Sequence, residues 1–225
     1  MPIELLDPAS GVLSDAPSVQ MPIGASAAAG DLRLFRVTAS SSRTFPTVTG
    51  WPKLYDQVVS RRVTLYYRVL APGDTNVTLT PTASPPASVH NMSWAAITLR
   101  GWDDSQTLTS STSTSATAAT AVVAPGVTAP GDGVLLCWFD VTRVSGGANT
   151  GSWGIPAGMT SRTSALAPIA TGYNILLASE PRAAGPTGTR TATAASSGVW
   201  SATSMFVAEA VAPAGPEPGR FFLVS

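Results

Sequence analysis

Two stretches decide how this chain reads. The first is GDLRLFRVTASSSRTFPTVTGWPKL, residues 30–54. The second is GDGVLLCWFDVTRVSGGANTGSWGIPAGMTSRT, residues 131–163. Each opens on Gly-Asp, runs into an apolar strand and crosses a Ser/Thr/Gly-rich loop. Each then meets a turn, Gly50-Trp51 in one and Pro156-Ala157-Gly158-Met159 in the other. Matching segments follow. An aromatic strand comes next, VTLYYRVL (63–70) or GYNILLASE (172–180), and then a Gly-containing corner, APGDT (71–75) or AAGPTG (183–188). A Thr-rich strand, NVTLTPT or TRTATAA, precedes a Trp-led strand, SWAAITLRGW or VWSATSMFVAEAV. The succession predicts an internal pseudo-repeat of roughly 80 residues, with halves at about 18–104 and 121–211.

The segments themselves read as strands. In RRVTLYYRVL (61–70), Val63, Leu65, Tyr67 and Val69 alternate with Arg62, Thr64, Tyr66 and Arg68. This gives a core face and a polar or partner face. Val77 and Leu79 point inward in the same way, as do Ala95, Ile97 and Leu99, with Trp94, Thr98 and Arg100 outward. GVLLCWFDV (133–141) is apolar on both faces and predicts a central strand covered on both sides. Helix signals are nearly absent, and 20 glycines and 19 prolines punctuate the chain. Two open half-sheets would each leave an apolar face wet, and packing them face to face buries both. The expected fold is therefore all-β: one two-layer antiparallel, jelly-roll-like sandwich of roughly eight to ten strands over residues 18–211. TAVVAPGV, between the halves, is strand-like and able to join a sheet. An N-terminal arm (1–17) and a Pro/Gly-rich linker with an apolar tail (212–225) flank the sandwich.

Composition narrows the function. Of 225 residues, 12% are charged, with 13 basic and 13 acidic side chains and no formal net charge. Nucleic-acid binding relies on a basic surplus, so no such partner is expected. A surface this poor in charge favours association and suits a homo-oligomer or a covered component. The N-terminus MPIELLDPASG has neither the basic nor the apolar region of a signal peptide, and no apolar run is long enough for a membrane helix.

The chain offers little for catalysis. The single cysteine, Cys137, lies in an apolar run and reads as a buried, inert thiol. The single histidine, His90, reads as a solvated loop residue. Asp103-Asp104 read as a solvated turn in preference to a calcium pair, and Asp31 and Asp132 as caps of Gly-Asp turns. No nucleophile elbow, phosphate loop or converging carboxylate pair is legible. The expectation is a non-enzymatic protein without metal or cofactor.

Aromatic and apolar groups remain. Trp102 and Trp153 look loop-borne, and an exposed Trp serves sugar stacking or a protein interface, although a core position is the commoner fate of any Trp. At the C-terminus, Pro213, Pro216 and Pro218 keep the linker extended, and Phe221, Phe222, Leu223 and Val224 follow it. That segment is expected to dock on a neighbouring protein, against the background that termini commonly fray.

The order AAGDLRLFRV, TVTGW, RRVTLYYRVLAPGDTNVTLT, SWAAITLRGW, then APGDGVLLCWF, IPAGM, GYNILLASEPRAAGPTGTRTATAAS, WSATSMFVAEAV resembles a group of β-sandwich virion structural proteins of tailed bacteriophages. The resemblance implies a structural component of the virion, assembled in the host cytoplasm beside other virion proteins. The place implied is a minor tail or tail-tip/baseplate position, with capsid decoration as an alternative. A third reading is a carbohydrate-binding module that meets a host surface glycan through Trp102 or Trp153.

Overall fold

A computed structural model describes residues 2–58, 61–83, 90–143, 152–166 and 173–211. Sixteen strands and no helix occur among them. In chain order they are β1 (Glu4–Ala16), β2 (Val19–Met21), β3 (Leu32–Ser40), β4 (Arg43–Thr44), β5 (Lys53–Val58), β6 (Arg61–Val69), β7 (Val77–Leu79), β8 (Thr82–Ala83) and β9 (His90–Arg100). These are followed by β10 (Thr109–Ala124), β11 (Thr128–Ala129), β12 (Gly133–Arg143), β13 (Thr160–Ala165), β14 (Tyr173–Arg182), β15 (Gly185–Pro186) and β16 (Arg190–Ala208). Ten of these strands build two five-stranded antiparallel sheets, ordered β1-β9-β3-β6-β5 and β10-β16-β12-β14-β13. The protein is a two-layer β-sandwich.

The two orders are the same order. In each sheet the first long strand of its series lies at one edge beside the last, and the second, fourth and third complete it. The ladders align the halves residue by residue. Arg36 pairs with Leu65 and Ala95, while Trp138 pairs with Leu177 and Thr203. Thr38 pairs with Val63 and Ser93, while Asp140 pairs with Ile175 and Ser201. On that register Leu34 matches Leu136, Arg36 matches Trp138, and Thr38 matches Asp140. The turns agree as well. Trp51 N donates to Val48 O at 3.0 Å and Met159 N to Pro156 O at 3.1 Å, and Gly50 (φ 75°) and Gly158 (φ 80°) take the left-handed conformation each turn requires. These matched units include β1 and β10. The segment expected to be an N-terminal arm is thus a strand of the first sheet, paired along β9 from Glu4↔Arg100 to Ala16↔His90.

Alternation places one set of side chains between the layers: Leu32, Leu34, Leu65, Ala95, Ile97 and Leu99 from the first sheet, and Leu136, Trp138, Ile175, Leu177, Met205 and Val207 from the second, all buried. The outer faces are covered too. Over the first sheet lie β2, β7 and the 45–51 loop, which supply Val19, Met21, Leu79, Phe45 and Trp51 against Phe35, Val37, Tyr66 and Met92. Over the second, Val122, Ala124 and Ala192 cover Leu135, Cys137 and Phe139. These come from one long ribbon. Thr109–Ser115 pairs with Trp200–Phe206 in the sheet, and Ala121–Ala124 pairs with Arg190–Thr193 beyond two register shifts at 115–121. The Ser113 hydroxyl donates to Val123 O, ten residues on, so β10 doubles back over its own sheet.

This layering corrects three expectations. The face carrying Thr64 and Tyr66 is buried, because the chain's own ribbon and loop cover it. The core face of β6 thins at its end, where Tyr67 is half-buried and Val69 is 45% exposed. The Thr-rich and Trp-led strands of the second half are the two arms of a single strand, β16. No helix among the described residues is long and apolar enough to cross a membrane.

Candidate functional site

One ion pair lies in the space between the sheets. Arg36, wholly buried, forms an ion pair with wholly buried Asp140. Its Nε donates to Tyr55 Oη at 2.8 Å and Nη2 to Ser201 Oγ at 3.1 Å. Thr38 Oγ1 donates to Asp140 Oδ1 at 2.9 Å, and the matched Ser93 and Ser201 hydroxyls approach the same carboxylate at 3.4 and 3.3 Å. Tyr55 Oη in turn lies 2.7 Å from Thr203 Oγ1, which lies 3.1 Å from Thr112 Oγ1. The network therefore runs from the third strand of one half to the first strand of the other. Sheet register explains it. Arg36 and Asp140 occupy inward positions of the two central strands, two residues out of step, so that a long guanidinium reaches a short carboxylate across the layers. The group has the composition of a fastener: each lone pair of Asp140 finds a donor, and a buried pair stabilises only when so satisfied.

A second cationic group lies nearby. Arg61, 2% exposed, opens β6 on the inward face and holds its guanidinium 5.5 Å from the Tyr173 ring centroid. None of its three nitrogens makes a hydrogen bond among the described residues. Burial pushes its pKa down to about 9, with Tyr173 opposing and Arg36 adding to the fall. The first sheet carries a further cluster on its outer side. Asp56 accepts from Arg62 Nε and Lys53 Nζ at 2.7 Å each and from Thr64 Oγ1 at 3.0 Å. Burial alone raises its pKa, and these donors outweigh burial and hold it at about 2.

The two sheet edges that match each other differ. In β1, Asp7 and Pro8 break the ladder between Leu6 and Ala9, with Asp7 at φ 46°. The edge is also tied across the seam, where Ser10 Oγ lies 2.6 Å from Thr163 Oγ1 of β13. In β10 the in-sheet arm Thr109–Ser115 reads TSSTSTS, with no charge, proline or bulge, and among the described residues it pairs with β16 on one side alone.

The residues singled out in the sequence are placed as follows. Trp102 and Trp153 are 8% exposed each. Both expectations of an exposed platform are corrected. Trp102 packs into the inter-sheet core with Nε1 donating to Gly30 O at 3.1 Å, and Trp153 packs against the covering layer of the second sheet. Backbone bridges hold both segments to distant chain, Trp102 to Glu209 and Gly154, the neighbour of Trp153, to Thr193 of β16. Phe221, Phe222, Leu223 and Val224 lie outside the described residues. His90 begins β9, opposite Ala16 of β1, and so is a strand residue instead of a loop one. Cys137 is buried beside Ser204 Oγ, and burial pushes its thiol up to about 12, leaving it protonated and unreactive. Asp103 caps its own turn: its carboxylate accepts from Ser105 N at 3.0 Å and Ser105 Oγ at 2.6 Å, and the Ser105 bonds hold its pKa below the ordinary value. Asp31 also caps, accepting from Ala28 N at 2.8 Å, and it pairs with Arg100 at 2.9 Å.

The Arg36–Asp140 network was not anticipated, although a signal exists. LRLFRV and LLCWFDV are matching central-strand runs, and Arg36 and Asp140 are inward charges of opposite sign within them. No protein-family description matches the chain, and neither curated proteins nor solved structures yield a match.

Proposed function

We propose that this chain is a non-enzymatic structural component of a bacteriophage virion, in the position of a minor tail or tail-tip/baseplate protein. The observation that carries the reading is the edge Thr109–Ser115. An unpaired strand edge is a template for another chain, and monomeric proteins blunt theirs with charge, proline or bulges. The matched edge β1 is blunted in this way and the β10 edge is not. A chain with 12% charged residues and an open edge suits a body that other protein covers, including further copies of itself. The resemblance in strand succession supplies the virion context. The burial of Trp102 and Trp153 leaves the glycan-binding reading without its platform.

Labelling the chain on intact particles and counting copies tests the proposal. A few copies at the tail tip are expected. Hundreds of copies on the head would assign capsid decoration, and absence from purified particles would end the virion reading. A chain ending at Ala214, without Phe221–Val224, is expected to keep its thermal stability and to be lost from particles. Normal incorporation would remove the tail from the assembly contacts.

A further inference from the structure

We propose that the open β10 edge is a self-pairing site: Thr109–Ser115 joins the same edge of a second copy of this chain, antiparallel and centred on Thr112, so that two five-stranded sheets become one of ten strands. The inference rests on the reading of this edge as an assembly contact given above, and it names the occupant.

The topology isolates one flank of the sandwich. β1 and β13 are edges of their sheets and are tied together by Ser10 and Thr163, whose hydroxyl oxygens lie 2.6 Å apart. The other two edges, β5 and β10, therefore share the opposite flank, where Tyr55 of β5 links through Thr203 to Thr112. β5 is poorly suited to extend a ladder. It carries Lys53 and Asp56, and its pairing with β6 slips between Lys53 and Tyr55. Charge and irregularity of this kind blunt an edge. β10 has neither device, and it pairs with β16 without a slip from Thr109 to Ser115. Among the described residues, the backbone groups on its far side have no ladder partner. On the same flank Leu54 and Leu108 pack against the inter-sheet core and are only partly buried. A body set against this flank completes the ladder and covers both leucines.

The sequence of the edge selects a second copy as that body. Self-pairing centred on Thr112 sets Thr109 against Ser115, Ser110 against Thr114 and Ser111 against Ser113, so no residue of the arm is left over. Hydroxyl meets hydroxyl at every position, and such cross-strand pairs are favourable. The arm holds no charge to be repelled by its own copy. The nearest charges on the flank, Lys53 and Asp56, are paired to each other, and Asp56 also to Arg62. The faces agree as well. Thr112 points between the sheets, where it meets Thr203, and directly opposed residues of a ladder share a face. Both inter-sheet cores therefore lie on the same side of the joint sheet.

Sedimentation of the full chain at rising concentration, with cysteine crosslinking to read the register, tests this. Cys137 is buried and does not compete. The chain is expected to pass reversibly from monomer to dimer. Ser111→Lys is expected to keep its Tm and to stay monomeric at concentrations where the parent is dimeric. Under mild oxidation Thr112→Cys is expected to form a disulfide-linked dimer, because directly opposed Cα atoms lie about 4.5–5.5 Å apart, within disulfide reach. Ser110→Cys is expected not to link to itself, since four residues along the strand separate it from its own copy by about 14 Å. It is expected to link to Thr114→Cys when the two variants are mixed. The proposal is overturned if the chain is monomeric from micromolar to millimolar concentration, if Ser111→Lys dimerises as the parent does, or if Ser110→Cys links to itself as readily as Thr112→Cys. A dimer lost from a chain ending at Ala214 but kept in Ser111→Lys assigns the contact to residues 215–225 and overturns it equally. A monomeric parent whose Ser111→Lys variant is lost from particles gives the edge to a different protein, and self-pairing fails. Particle labelling decides the virion reading and this assay requires no particle, so either can fail alone.

Discussion

The halves of this protein share one strand order and differ most where they touch. At matched positions on the central strands the first half carries Thr38 and the second Asp140, and the two side chains meet at 2.9 Å. Two residues earlier on the same face, Arg36 is matched by Trp138. At the edges, β1 is broken by Asp7-Pro8 and tied to β13, while its counterpart β10 presents TSSTSTS with one side unpaired. The comparison teaches that a shared backbone plan fixes which positions face inward, while the residue at each position decides whether it fastens, fills or stays available.

The largest effect should come from the matched central pair. Asp140→Ala strands Arg36 without its carboxylate and should cost about 3–5 kcal/mol, whereas Thr38→Val removes one hydrogen bond to a charged acceptor and should cost about 1.5–3 kcal/mol. Arg36→Met combined with Asp140→Leu should recover most of the loss. Urea midpoints check this ranking, and equal costs for Asp140→Ala and Thr38→Val would mean that the asymmetry carries no energy.

Acid should distinguish the sheets next. Asp56 has its pKa depressed to about 2, so the stability it contributes is complete above its unfolded value near 4 and is lost as pH falls toward 2. With allowance for solvent screening, about 1 kcal/mol is at stake. The matching strand β13, TSRTSA, has no acid. Hydrogen exchange near pH 3 should therefore show β5 and β6 loosening before β13 and β14, and Asp56→Asn should abolish that order. Simultaneous loosening in the parent would refute the contrast.

How much of this was legible follows the same division. Period-2 alternation reveals the inward set of β6 and β9, and continuous apolarity marks β12 as central, because burial on one face or two leaves a direct trace in the residues. The outer covering left none. Tyr66 and Thr64 look like a polar face, and that the ribbon of β2 and β7 buries them depends on contacts between residues far apart in the chain. The same holds for Trp102 and Trp153. A Trp beside glycine in a loop reads as exposed, yet each ring is buried in a cluster supplied by distant segments. The ion pair was hidden for a further reason, since its partners are 104 positions apart and each alone looks like an interruption of an apolar run.

The smallest effect on stability should carry the largest effect on assembly. Ser111→Lys on the open edge should alter stability by less than about 0.5 kcal/mol, and it gives β10 an edge charge of the kind that Asp7 already supplies, with opposite sign, in β1. If the edge is an interface, size-exclusion or particle incorporation should register the loss. Unchanged assembly would show that the two edges differ in sequence alone.

The meeting of Thr38 with Asp140 has a consequence for symmetry itself. In a dimer of two identical chains, whatever stands on the two-fold axis faces its own copy: threonine would meet threonine, and aspartate would meet aspartate, at the expense of like-charge repulsion in a dry interior. A single chain that carries both halves is released from that identity. It can write a donor on one side of the axis and a carboxylate on the other, then recruit Arg36 from one half alone to neutralise it. Two separate copies of either half could not reproduce this centre, and covalent linkage is what makes so unequal an interior available to so nearly equal a pair of folds.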